Sequence, residues 1–177
     1  MIKEKHAILT KKTQASLEFE QVTFGYDSRG QKVLDNISFC LEGPAIVNLT
    51  GKNGTGKSTI FKLIMKLYSP QSGTIKINGV DIQNVSQENI SKIVACVPQK
   101  IIFFEDMIYN NLTYGLSISE LELESIAESV GILELIDSFP NRFEEILFEG
   151  GYELSGGERQ RLALVRALAA VDRKSVV

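Results

Sequence analysis

Residues 45–68 read AIVNLTGKNGTGKSTIFKLIMKLY. The short apolar run AIVNLT suggests a buried strand. It leads into Gly51-Lys52-Asn53-Gly54-Thr55-Gly56-Lys57-Ser58, which matches GxxxxGK[ST]. Beyond the turn, Ile60, Phe61, Leu63, Ile64 and Leu67 recur at helical spacing, so a helix over STIFKLIMKLY is predicted, stopped by Pro70 and Gly73. Each residue type in the turn has a physical task. Glycines let the backbone curl so that several N–H groups point inward at phosphate oxygens. The following helix places its positive end at the same spot. Lys57 would reach the β- and γ-phosphates, and the Ser58 hydroxyl would ligate Mg²⁺. Gly51 through Ser58, with Thr59, are therefore the candidate nucleotide contacts. The bland alternative is an ordinary glycine-rich turn, against which the strand before and the helix after weigh. This motif alone leaves a kinase, a GTPase, a motor or a transport ATPase open.

Working outward, LEFEQVTF alternates and then shifts phase, which predicts a bulged strand. VLDNISFCLEG reads as a second strand. TIKINGVDI is a hairpin with Asn78-Gly79 as its type I′ turn. QENISKI is a short helix, and VACVP a buried strand ending at Pro98. From Asp106 to about Phe148 the sequence turns helical. There Ser119 and Glu122 form a capping box opening ELELESIAESV, and Gly131 suits its C-terminal cap. Ser155 and Glu158 make a second capping box, opening ERQRLALVRALAA with a wide apolar face of Leu162, Val165, Ala169, Leu164 and Leu168.

With 177 residues, 44% of them apolar, the chain is long enough for one domain with a real core. The net charge of −3 argues against a broad nucleic-acid or anionic-lipid surface, so no nucleic-acid partner is expected. Cys40 and Cys96 sit in apolar runs without metal-ligand spacing and are expected to be small buried hydrophobes. The sole histidine, His6, lies in a polar leader and is expected to be solvated. No stretch approaches the ~20 apolar residues of a membrane span. The N-terminus carries charges but no apolar h-region, so no secretory signal is expected.

Leu154-Ser155-Gly156-Gly157-Glu158 opens a helix, and a serine with two glycines there makes another anion corner. An isolated SGGE would be a plain cap. Here it runs on as LSGGERQRLALVRAL, and at this point the chain resembles the ABC ATPases, whose signature is LSGGQ followed by a basic, apolar helix; Glu158 replaces the common Gln. The resemblance covers about Leu17 to Ala170.

The resemblance implies an α/β fold: a P-loop NTPase core with an N-terminal antiparallel β subdomain, a helical insert and an incomplete central sheet. Residues 1–16 are expected to be a linker or arm. The ATP-binding domain is expected over 17–177, with core about 17–104 and 149–177 and insert about 105–148. Tyr26, in FGYDSRG, matches the aromatic that stacks on adenine; otherwise it is a strand or turn tyrosine. Gln99, in VACVPQ, matches the glutamine that senses Mg²⁺ and the γ-phosphate; otherwise it is a solvated turn residue. Glu149 resembles an exporter residue that touches the membrane domain, or is a surface carboxylate. NNLTYG, 110–115, also looks exporter-like. In the family, Ser155, Gly156, Gly157 and Glu158 act on ATP held by a second subunit placed head to tail, and a transmembrane permease domain, fused upstream or separate, converts the cycle into transport at the cytoplasmic face of the membrane.

The family pattern continues past the signature helix with a strand ending in Asp-Glu and a switch His. These have no counterpart in the seven residues after Ala170, where Asp172 comes too early. The chain by itself is therefore expected to be inactive in hydrolysis. The closing DRKSVV could be encoded by GAT CGG AAG AGC GTC GTG, a read-through of adapter sequence that the nucleotide sequence decides. Two other functions stay open: a soluble ABC ATPase of translation or DNA maintenance, and a non-hydrolysing ATP-binding fragment.

Overall fold

The computed structural model describes residues 15–27, 30–151 and 153–172. Expectations for the arm over 1–14, for His6 and for the side chains of Glu149 and Asp172 lie outside what is described. The chain divides into two compact units, Met1–Val94 and Ala95–Val177.

In the first unit a four-stranded sheet runs in the order β2-β1-β3-β4, from β1 (Ser16–Phe24), β2 (Leu34–Glu42), β3 (Ser72–Ile77) and β4 (Val80–Asp81). All three pairings are antiparallel. The phase shift in LEFEQVTF is a real bulge: the register slips between Phe19 and Val22, and Gln21 takes φ 49°. One extra residue moves the inward positions from Phe19 to Val22 and Phe24, and all three are buried. Gly73 packs against that bulge. A Cβ there would lie 2.4 Å from the backbone oxygens of both Glu20 and Gln21, and its φ is +84°, so glycine is needed for close approach as well as for conformation. Asn78 and Gly79, at φ 52° and 78°, close the β3–β4 hairpin as predicted.

Helix α1 (Lys57–Ile64) sends Leu63 into a core with Phe19, Val22, Phe24, Leu34, Ile75 and Ile82. Burying each such side chain contributes about 1.5–3 kcal/mol. The helix ends earlier than the apolar spacing suggests. Lys66, just past the end, adopts φ 53°, which breaks the right-handed helix before Pro70 is reached, and its ammonium donates to the carbonyls of Gln83 and Val85. Ser86 caps the short helix α2 (Gln87–Ser91) by accepting from the Asn89 amide.

Two expected strands did not form. Residues 45–50 and 95–98 belong to no ladder, and Ile46, Val47, Leu49 and Val97 are exposed. A parallel core strand is held by neighbours on both edges and cover on both faces. Among the described residues every strand pairing is antiparallel, and none includes these segments. Both cysteines are exposed as well, against expectation. Cys40 lies on β2, whose outward positions alternate with half-buried Ile37, Phe39 and Leu41. Cys96 lies in the unpaired run.

The second unit is mostly helical: α3 (Ile108–Thr113), α4 (Glu120–Val130), α5 (Leu133–Ser138) and α6 (Gly156–Asp172). Strands β5 (Asp106–Met107) and β6 (Ile146–Leu147) pair, so the segment that opens this helical stretch and the one that closes it lie side by side. Both capping boxes are present. Glu122 N–H donates to the Ser119 hydroxyl at 3.3 Å while Ser119 N–H donates to the Glu122 carboxylate at 3.0 Å, and Gly131 caps α4. Leu162, Val165 and Ala169 of α6 are buried in a core with Phe103, Ile108, Leu112, Leu123, Ile136 and Phe143, whereas Leu164 and Leu168 are exposed. Buried Asn111 holds the turn at 104–107: its amide donates to the carbonyls of Phe104, Asp106 and Met107, and its side-chain oxygen accepts from Phe104 N–H. Among the described residues no helix is long and apolar enough to cross a membrane.

Candidate nucleotide site

In the first unit the loop over 51–58 is largely exposed and feeds directly into α1. Gly56 stands at the helix N-cap with φ 89° and no side-chain cap, so the first-turn amides keep no partner from a capping side chain. Gly56 itself is buried. A Cβ on it would lie 2.7 Å from Leu34 Cδ2 and 3.1 Å from the Val33 carbonyl, so the loop is seated on β2 through this one residue. The Lys57 ammonium turns back over the loop and donates to the carbonyls of Gly51 at 2.7 Å and Lys52 at 2.6 Å. Thr55 braces the same turn, its hydroxyl donating to the Lys52 carbonyl at 2.9 Å.

Tyr26 lies beside this loop. A cleft of about 340 Å³ is lined by Tyr26, Val33, Asn53, Gly54, Gly56 and Lys57, with Ser58 and Thr59 completing it. Tyr26 is 51% exposed, yet its ring is fixed on several sides. Phe24 and Tyr68 meet it edge-on, with ring centres 5.1 and 5.3 Å away. Its hydroxyl lies 3.1 Å from that of buried Thr59 and accepts from the Lys62 ammonium at 3.2 Å. These bonds, Thr59 first, lower the Tyr26 hydroxyl pKa from its ordinary value, and the bond to Tyr26 raises that of Lys62.

In the second unit Ser155, Gly156 and Gly157 are exposed at the start of α6. The Ser155 amide donates to the Glu158 carboxylate at 2.7 Å, and the Ser155 hydroxyl accepts from Glu158 N–H at 3.3 Å. A hydrogen bond to the Glu158 carboxylate from the Ser155 side chain, and then the one from the Ser155 amide, hold the Glu158 carboxyl below its usual pKa. No atom lies within 4 Å of a Cβ placed on Gly156 or Gly157, so the corner is open to an incoming group. Arg159 stiffens it by donating to the carbonyls of Leu154 at 3.0 Å and Gly151 at 3.3 Å. Exposed Gln99 lines a cleft of about 610 Å³ in this unit together with Gly156, Arg159 and Gln160. The structure thus brings Tyr26 to the phosphate loop, and Gln99 to the start of α6.

The donor set fits a magnesium triphosphate. Loop and helix-end amides together with the Lys57 ammonium suit phosphate oxygens. Among the described residues no cluster of three His, Cys, Asp or Glu side chains could hold a metal by itself. Mg²⁺ is commonly held by few protein oxygens, water and substrate phosphates, for which the exposed Ser58 hydroxyl suffices as a start.

Several participants escaped the sequence reading. Val33 lines the cleft although nothing in its strand context marks it. Lys62 follows Thr59 by three residues, hence sits on the same face of α1, but that spacing gains meaning only once Tyr26 is known to lie there. Arg166 of α6 lies between Phe103 and Tyr114, its guanidinium 4.6 and 4.5 Å from the ring centres, and donates to the carbonyls of Asn111 and Ile102.

Residues 34–173 match the family model described as ABC transporter. The ATP-dependent lipid A-core flippase of Haemophilus influenzae is 37% identical over 168 residues, 94% of this chain and 29% of that protein. The human mitochondrial iron-sulfur clusters transporter ABCB7 is 41% identical over 155 residues, 87% of this chain and 20% of that protein. A bacterial Atm1-family ABC exporter solved with ATP bound superposes with a TM-score of 0.85 at 34% identity, covering 96% of this chain and 30% of that one. The chain therefore spans less than a third of the length of these relatives. A phosphate loop on an antiparallel β unit, a capped signature helix on a helical unit, and a family match over most of the sequence lead to one conclusion: this chain belongs to the ABC transporter family and carries its ATP-binding fold.

Proposed function

We propose that the chain binds ATP with Mg²⁺ and that, in the whole protein, it serves ATP hydrolysis that drives export across a membrane. The observation that carries this reading is the shared cleft of Tyr26 and the phosphate loop, which offers a base platform and a phosphate seat side by side. Lys57 is the residue to exchange its carbonyl partners for β- and γ-phosphate oxygens. Ser58 is the metal-facing oxygen of the loop, and Gly51 to Thr59 form the cradle. Bound Mg²⁺ would supply charge neutralisation on the phosphates. Ser155, Gly156, Gly157 and Glu158 make an open anion corner suited to a triphosphate held by a second ATP-binding domain placed head to tail.

The relatives named above carry different cargoes in their names. A permease partner and a place on the cytoplasmic membrane face follow from the family reading and belong to this proposal. So do the domain limits: arm 1–16, core 17–104 and 149–177, insert 105–148.

The test is equilibrium ATP binding with and without Mg²⁺, for the wild type and for Lys57→Ala. Removing the Lys57 ammonium should weaken ATP binding at least tenfold, in line with about 1.5–3 kcal/mol for hydrogen bonds to charged groups. Equal affinity in the two proteins would sink the assignment of the phosphate seat.

A further inference from the structure

Lys62 has no place in the phosphate loop, yet it is the hub of the only described link between α1 and the aromatic cluster that involves a charge. Its ammonium donates to the Tyr26 hydroxyl at 3.2 Å and lies 5.0 Å from the centre of the Tyr26 ring and 5.9 Å from that of Tyr68. Half-exposed tyrosines of this kind ordinarily lose rotamer freedom when a ligand binds, at a cost of about 0.5–1.5 kcal/mol for an immobilised side chain. Here that freedom is already restricted. Two edge-on rings, a buried threonine hydroxyl and a lysine hold the phenol at both its ring and its tip. Thr59 and Lys62 are three residues apart on one face of the helix whose N-terminus forms the phosphate seat, so base platform and phosphate seat are tied to one rigid element.

We infer that Lys62 is a positioning residue for the base: through its hydrogen bond and cation–π contact it holds Tyr26 in the orientation that receives the flat ring of the nucleotide, without touching phosphate itself. This rests on the reading of the cleft as an ATP site. The contribution is specific to the base half of the ligand. A ligand made of phosphates alone should not sense it, because Lys62 lies more than a helical turn beyond Lys57, and its charge is engaged by the two tyrosines.

The experiment compares ATP with inorganic tripolyphosphate as ligands of the whole protein, both with Mg²⁺. Lys62→Met keeps the aliphatic stem and removes the ammonium; it should weaken ATP binding about threefold to tenfold and leave tripolyphosphate affinity within twofold. Tyr26→Phe, which removes the hydroxyl and keeps the ring, should produce a similar loss. The double variant should lose less than the sum of the two single losses, because both changes break the same Lys62–Tyr26 hydrogen bond. Lys62→Arg should recover most of the ATP affinity. Equal weakening of both ligands would show that the charge acts on phosphate and would overturn the inference, as would strictly additive losses in the double variant. Lys57→Ala keeps the two readings separable: if it leaves ATP binding intact, the nucleotide site itself is misplaced, whatever Lys62 does.

Discussion

Replacing Gly56 by alanine probes the seating of the phosphate loop more directly than any change to a charged residue. The added methyl would stand 2.7 Å from Leu34 Cδ2 and 3.1 Å from the Val33 carbonyl, and the backbone would have to hold φ +89° with a Cβ present. Holding an L-residue in left-handed space costs about 1–2 kcal/mol. Overpacking against a buried leucine adds about 1–3 kcal/mol. Together the change should destabilise the first unit by about 2–5 kcal/mol. Gly54 supplies the internal control. Its φ is +82°, but nothing lies within 4 Å of its would-be Cβ, so Gly54→Ala should bear only the backbone cost of about 1–2 kcal/mol. Amide hydrogen exchange at buried Leu63 and Ile75 reports the opening free energy of this unit. At tenfold per 1.4 kcal/mol, exchange should accelerate roughly thirtyfold to a few thousandfold in Gly56→Ala, against roughly fivefold to thirtyfold in Gly54→Ala. If the two variants exchange at the same rate, the loop is not seated on β2 through Gly56 and the packing account fails.

Two further outcomes follow from the second unit. Asn111→Ala removes the group that satisfies the Phe104 amide and three carbonyls, and leaving such groups unpaired costs about 1–3 kcal/mol; exchange of the Phe104 amide should rise at least fivefold, and a change below twofold would contradict the role given to Asn111. The depressed Glu158 pKa makes a pH prediction. A carboxyl whose folded pKa lies below its unfolded value of about 4.3 contributes stability that is complete above that pH and is lost as pH falls through the folded value. Helix α6 should therefore fray at its N-terminus on acidification below about pH 4, seen as faster exchange at Glu158 and Arg159. Glu158→Gln should flatten that acid dependence, and an unchanged profile would remove the capping box as its cause.

The parts of the fold and site legible in the sequence are those whose cause lies within a few residues. The phosphate loop follows from glycine spacing, and the β3–β4 hairpin from Asn78-Gly79. The bulge at Gln21 follows from a phase shift, and both helix starts from a serine three residues before a glutamate. Each is settled by backbone sterics or a local hydrogen bond, and no distant partner is needed.

The remaining features involve partners far apart in sequence. The α1 helix ends at Ile64, where the left-handed Lys66 that follows carries its ammonium to the carbonyls of Gln83 and Val85, although the apolar spacing runs on to Leu67. Cys40 is exposed because β2 turns that face outward, a choice of side that the string ISFCL does not record. AIVNLT has the composition of a buried strand, but a strand exists only when another strand hydrogen-bonds to it, and residues 45–50 have no such partner among the described residues. Tyr26 could be named as a platform through the resemblance to the ABC ATPases, whereas its anchors Thr59, Lys62 and Tyr68 lie 33 or more residues away. Short-range rules determine which local shapes a segment can take; which of its faces is covered, and by what, depends on contacts that only the folded chain brings together.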